Sequence, residues 1–224
     1  MSKPILTNYP KILTLKDYEN AINKFVSDNS KSSKAIFLAG SIQNPGVSDL
    51  DFIIVGPNPI VDDTIREFLA GGNVITMPED LIEYINYFDK FPLRQLSGPK
   101  IKIKNNPYKY FNIIQIIEWL PERILLLQYL IKSKTYDVRK LLLVLKSINK
   151  SITNVEDYLS LGFKRPDINY VMGNFLNLDL QLLSKRFLSA AIEAWSTFES
   201  NIQLFDGAIT GEVQFSRYYK FSNN

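Results

Sequence analysis

The sequence predicts an α+β protein: a mixed sheet with flanking helices, followed by an all-α helical bundle. Three observations lead there. In the first third of the chain, short apolar runs stop at Gly or Pro turns, as buried strands do. From Phe111 onward, apolar residues recur every three or four positions, the helical period. Between these regimes stands Asn105-Asn106-Pro107, which sets the expected boundary between an α/β domain over 1–106 and a helical domain over 107–224.

Each element has its own signal. Thr14-Leu15-Lys16-Asp17 reads as a capping box, and Tyr18, Ala21, Ile22 and Phe25 then follow at helical spacing. The polar segment from Asp28 to Lys34 ends that helix. Lys34 to Gly40, a short apolar run closed by Gly, reads as a buried strand. Asn44-Pro45-Gly46 is a turn, and Asp49 to Val55 reads as a second strand ended by Gly56-Pro57. A helix is expected from about Val61 to Ala70, with Asp62 and Asp63 as its capping acids and Gly71-Gly72 as its stop. Asn73 to Met77 reads as a third strand, and Pro78-Glu79-Asp80 opens a helix. Leu93 to Lys104 contains two short strand candidates separated by Ser97-Gly98-Pro99. In the second half, helices are expected over Ile113–Lys132 with a kink or restart at Pro121, Asp137–Ile148, Val155–Leu161 and Leu176–Phe205. Glu212 to Phe221 alternates in polarity and is a strand candidate.

Composition narrows the chemistry. The chain has 224 residues, 46% hydrophobic and 22% charged, enough to bury a core without cross-links. Its charge-free stretches, such as Ile124–Ile131, are too short to span a bilayer, and Met-Ser-Lys-Pro lacks the apolar region of a secretory signal. The sequence therefore reads as a soluble, cytoplasmic protein without a membrane partner. It contains no Cys and no His. That excludes disulfides, thiolate or imidazole zinc sites, cysteine nucleophiles and Ser-His-Asp catalysis. What remains is chemistry on carboxylates, Lys, Arg, Tyr and hydroxyls, with a hard divalent metal. A net charge of +3 neither demands nor forbids nucleic acid.

The candidate site follows from the second strand. On a strand, Asp49 and Asp51 share a face about 7 Å apart, while Leu50, Phe52 and Ile54 face a core. Two like charges beside an apolar strand repel unless a cation lies between them. Oxygen ligands suit Mg²⁺ or Mn²⁺. Gly40-Ser41, at the end of the preceding strand, offers close backbone approach and hydroxyl and N–H donors to phosphate oxygens. Phosphate donors beside metal ligands are what phosphoryl or nucleotidyl transfer requires.

Leu38-Ala39-Gly40-Ser41, a spacer, and Ser48-Asp49-Leu50-Asp51-Phe52 resemble the signature of the DNA polymerase β-like nucleotidyltransferases. The likeness covers roughly the first half of the chain. It implies a nucleotidyltransferase-like fold in which Asp49 and Asp51 bind metal and Gly40, Ser41 and Ser48 contact the nucleotide, an NTP. A nucleoside monophosphate would pass to an acceptor hydroxyl on a small molecule, a protein or RNA, and a helical bundle would close over the nucleotide. The chain departs from the pattern in three ways. Pro45 opposes the helix that usually follows Gly-Ser, so a turn is expected there. The third strand lacks the family's third carboxylate, the usual base, leaving Glu79 or Asp80 as candidates although both are explained as helix-opening acids. No His can substitute as base.

Secondary candidates are weighed against simpler explanations. Arg139, Lys146 and Lys150 form a basic ridge that suits a triphosphate or RNA, although a solvated amphipathic face explains it too. Trp119 reads as a core aromatic rather than a base-stacking one. Phe215 to Phe221 interleaves basic and aromatic residues, as single-strand binders do, or forms a terminal packing segment. Three functions follow: a metal-dependent nucleotidyltransferase, a nucleotidyltransferase-like module that binds nucleotide or a partner protein without turnover, and a nucleic-acid-binding helical protein.

Overall fold

A computed structural model of the chain describes residues 4–63, 65, 68, 73–85, 92–104 and 110–202. It is an α+β structure with two compact units. One unit comprises residues 10–111. The other joins the residues before Pro10 to those from Asn112 onward.

The first unit is organised by α1 (Leu15–Asn29) and a four-stranded sheet of β2 (Ala35–Ala39), β3 (Asp51–Val55), β4 (Val74–Met77) and β5 (Leu93–Ser97), in the order β4-β3-β2-β5. The sheet is mixed: β2 is antiparallel to both β3 and β5, and β3 is parallel to β4. α1 starts at the expected capping box, with the Thr14 hydroxyl accepting from Asp17 N–H and Asp17 Oδ2 accepting from Thr14 N–H at 2.7 Å. Its buried stripe of Tyr18, Ala21, Ile22 and Phe25 packs on Ile36, Leu38, Leu50, Phe52 and Ile54. The Phe25 and Phe52 rings stack at 4.0 Å. Ala35, Phe37, Ala39, Ile53 and Val55 form a second core on the opposite face, with Ile82, Ile85, Ile101 and Ile103. Cover on both faces explains why β2 and β3 are apolar almost throughout.

The connection between parallel strands β3 and β4 is helical at residues 63, 65 and 68, and Asp62 Oδ1 accepts from Ile65 N–H at 2.9 Å, as a helix cap does. The rest of the expected Val61–Ala70 helix lies outside the described residues. α2 (Glu79–Ile82) begins at Pro78. The second strand expected within Leu93–Lys104 is absent from the sheet: residues 100–104 have no regular structure. There the Gln95 side chain replaces a ladder. Its amide donates to the carbonyls of Ser97, Gly98 and Pro99, and its oxygen accepts from Ile101 N–H at 3.0 Å.

In the second unit β1 (Ile5–Thr7) pairs in parallel with β6 (Thr135–Asp137). α3 (Tyr110–Lys132) runs through Pro121 as one helix, with no restart. α4 (Val138–Leu159) is capped by Asp137 and absorbs most of the separately expected Val155–Leu161 helix. Its apolar stripe of Val138, Leu141, Leu145, Ile148, Ile152 and Val155 continues through the polar segment between them. α5 (Ile168–Asn174), not expected from the sequence, starts where Asp167 Oδ1 accepts from Asn169 N–H. A 3₁₀ turn over Phe175–Asn177 precedes α6 (Leu180–Ile202), which packs chiefly on α4. Residues 203–205 of the expected last helix, and the strand candidate at Glu212–Phe221, lie outside the described residues. Among the described residues, no helix is long and apolar enough to cross a membrane.

Arg165 secures the chain after α4. Its guanidinium donates to both oxygens of Glu156, at 2.6 and 2.9 Å, and to Asn149, Thr153 and the Phe163 carbonyl. Hydrogen bonds from Arg165, and secondarily from the Phe163 N–H, hold the Glu156 carboxyl below the usual glutamate value despite partial burial. A depressed folded-state value stabilises the fold above the unfolded pKa of about 4.3 and loses that contribution as pH falls through the folded one. Arg165→Met is therefore expected to lower unfolding free energy by about 2 kcal/mol at neutral pH. The loss should shrink in urea titrations repeated at successively lower pH.

Candidate functional site

The site is built on the loop between β2 and β3. Gly40 ends β2 at φ +78°, and its N–H donates to the Pro92 carbonyl at 2.9 Å, extending the pairing with β5. The Ser41 hydroxyl oxygen accepts from Gln43 N–H, which leaves its proton available to another acceptor. A single turn follows, as Pro45 requires. Val47 and Ser48 N–H both donate to the Asn44 carbonyl, at 3.2 and 2.8 Å.

Two features lock this loop to its own unit. The Tyr18 hydroxyl, on α1, accepts from Gly46 N–H at 3.1 Å and donates to the Ser48 carbonyl. Gly46, at φ +83°, lies so close to the Lys11 backbone that a Cβ would fall 2.1 Å from the Lys11 carbonyl oxygen. Val47, Ser48 and Leu50 are buried accordingly.

Asp51 opens β3 and pairs with Ala39. Its Oδ1 accepts from Asn73 N–H, just before β4, at 2.8 Å. Its Oδ2 lies 3.9 Å from where a Gly40 Cβ would stand, so the missing side chain leaves this oxygen open toward the turn. Asp49 is half-buried and precedes the strand, which begins at Asp51 rather than Asp49. The expected alternation survives: Leu50, Phe52 and Ile54 all lie in the α1 core. Two carboxylates and a hydroxyl are hard oxygen donors, the type that Mg²⁺ or Mn²⁺ takes.

Gly40, Ser41, Ser48, Asp49 and Asp51 thus lie within one short stretch of the first unit. Ser48 is only 1% exposed and holds the loop through its backbone. Glu79 and Asp80, the candidates for a third acid, stand at the wrong end of the sheet. They follow the Val55↔Met77 end, about 13 Å along the strands from Asp51, and Glu79 is ion-paired with Lys34. The row containing Asp51 continues through Ala39 to Leu93, since Ala39 is the register partner of both. Asp51 is the only acid in the four strands of this sheet. Among the described residues, no group of three or more acidic side chains could hold a metal ion.

Arg139 and Lys146 lie on α4 in the other unit, both partly buried, with Lys150 exposed beyond them. Trp119, expected in the core, is 40% exposed on α3. The aromatic tail at Phe215–Phe221 lies outside the described residues.

No family model, curated protein or solved structure matches this chain.

Tyr18 and Asn73 were not singled out by the sequence. Tyr18 reads there as one more member of an apolar helix face, and only its hydroxyl hints otherwise. Asn73 contributes a backbone N–H, which leaves no mark on residue type. Tyr18→Phe is expected to lower unfolding free energy by about 1–3 kcal/mol, because Gly46 N–H and the Ser48 carbonyl lose a buried partner. Hydrogen exchange at the Gly46 amide should accelerate more than at α1 amides. Gly46→Ala should cost at least about 2 kcal/mol in chemical denaturation, from steric overlap and positive φ together.

Proposed function

We propose that the first unit is a nucleotidyltransferase-like domain. It moves a nucleoside monophosphate from an NTP to an acceptor, with Asp49 and Asp51 as ligands of Mg²⁺ or Mn²⁺. The observation that carries this reading is the corner where the positive-φ Gly40 faces Asp51 Oδ2, with the intervening loop pinned by Tyr18. Phosphate positioning and charge neutralisation supply most of the catalysis in such transfers. The metal, when bound, would offset the charge of the triphosphate. Gly40 gives phosphate oxygens room beside the backbone, and the Ser41 hydroxyl has a proton to donate to them. The Asn73 N–H fixes the Asp51 carboxylate, so that its second oxygen is aimed in advance.

A second reading has its own support. Leu93, where an acid on β5 would share the row of Asp51, favours a module that binds nucleotide without turnover. Incubation with each α-labelled NTP and mixed small-molecule, protein and RNA acceptors separates the two readings, since only the transferase moves label.

Thermal melting with each NTP, with and without Mg²⁺ or Mn²⁺, tests the nucleotide site itself. At a ligand concentration about 100 times Kd the expected stabilisation is about 2.7 kcal/mol, several degrees in Tm. Asp51→Asn keeps the size and the acceptor for Asn73 N–H but removes the charge, so it should abolish the metal-dependent part, as should Asp49→Ala. Equal melting points with and without every NTP and metal would contradict the proposal.

A further inference from the structure

α3 carries two stripes. Ile113, Ile116, Leu120, Ile124, Leu127 and Leu130 are buried and form its inward face. Glu118, Glu122, Leu125, Tyr129 and Lys132 are all exposed. Their spacing alternates four and three residues, the heptad spacing of a helix face that meets another helix. Tyr129 is 70% exposed and Leu125 47%, and Trp119 flanks the stripe at 40%. Glu118, Glu122, Arg123 and Lys132 are the only charged residues in the 23 of this helix. A helix so nearly apolar all round is normally covered on both sides.

The outward stripe is ordered by charge. Acids stand at its start, a leucine and a tyrosine in its middle, and a lysine at its end. Glu118 and Lys132 are equally far from Leu125, seven residues each way, about 10.5 Å along the helix. A half-turn about an axis through Leu125 therefore brings each to the position of the other. We propose that a second copy of the chain covers this stripe, with the two α3 helices antiparallel about a twofold axis at Leu125. Leu125 then meets its counterpart, each Tyr129 hydroxyl lies toward the Glu122 carboxylate of the other copy, and Glu118 pairs with Lys132. Each pairing of unlike residues occurs twice, as a twofold interface requires. Arg123 stays on the flank, 3.5 Å from Glu122 of its own helix.

A parallel pair would set Glu118 on Glu118 and Lys132 on Lys132, so charge selects the antiparallel arrangement. The match of the stripe to its own reverse singles out a second copy over an unrelated partner, which would have no need of that symmetry. One helix face per copy is a small interface, at the weak end of specific association.

Sedimentation of the full chain at concentrations up to about 1 mM reads a dissociation constant of that order or tighter. The unaltered chain should dimerise reversibly. Glu118→Lys and Lys132→Glu, both at exposed positions, should each weaken the dimer about tenfold or more while melting like the unaltered chain, because twofold symmetry repeats the new repulsion. An equimolar mixture of these two variants should associate again, since each supplies the charge that the other lacks. A thiol decides the geometry independently of the charge variants. The chain has no cysteine, so Leu125→Cys adds a single thiol, and mild oxidation should link two copies through it far faster than through Tyr129→Cys, which lies off the axis. The proposal is overturned if the chain stays monomeric to 1 mM, if the dimer survives either charge reversal, if the mixed variants fail to associate, or if Tyr129→Cys links as readily as Leu125→Cys. In the first case something other than a second copy covers the stripe, and in the others the dimer forms through a different surface or register.

Discussion

The Tyr18 hydroxyl is the contact on which the candidate site depends. It takes the Gly46 N–H and gives its proton to the Ser48 carbonyl, so one oxygen on α1 holds the segment before Asp49 at two points. The loop contains Pro45 and has no helix of its own, and this clamp satisfies two of its backbone polar groups. Gly46 makes the clamp possible. Only a residue without Cβ fits against the Lys11 backbone there. Pre-organisation follows: Gly40, Ser41 and Asp51 are already juxtaposed, and binding need not order them.

The sheet supplies the second constraint. β2 and β3 are buried on both faces, so a charge within them is tolerable only at an end. Asp51 sits at such an end, half-buried, with one oxygen satisfied by the Asn73 N–H that begins the approach to parallel strand β4. The same register that aligns Asp51 with Ala39 carries the row to Leu93. A single pattern of backbone pairing thereby places Leu93 in the same row as the carboxylate corner.

Much of this was legible in the sequence where the determinants are local. The Thr14–Asp17 box fixes the start of α1, and the alternation of Leu50, Phe52 and Ile54 fixes which face of β3 is inward. Asp62 reads correctly as a helix cap. Where determinants are distant, the sequence is silent or misleading. Lys100–Lys104 alternates like a strand, yet the Gln95 side chain takes the hydrogen bonds that a ladder would have used. β1 pairs with β6 across more than 120 residues, and nothing in Ile5-Leu6-Thr7 announces it. The seven-residue α5 is too short to display a period. Asp49 is excluded from β3 because the loop clamp and the Leu50 N–H bond to the Phe68 carbonyl set where pairing begins. Glu79 reads as a candidate acid until parallel pairing of β3 with β4 carries it to the far end of the sheet.

The central claim is that the corner of Gly40 and Asp51 is a metal–nucleotide site. Paramagnetic broadening by Mn²⁺ measures this most directly, because the ion reports its own position. On titration of Mn²⁺ with ATP into isotope-labelled protein, the backbone signals of Gly40, Ser41 and Asp51 should broaden first, ahead of Glu79 and Asp80 at the opposite end of the sheet. Asp51→Asn should remove the effect. Uniform broadening across the surface, or broadening centred on Glu79 and Asp80, would contradict the account.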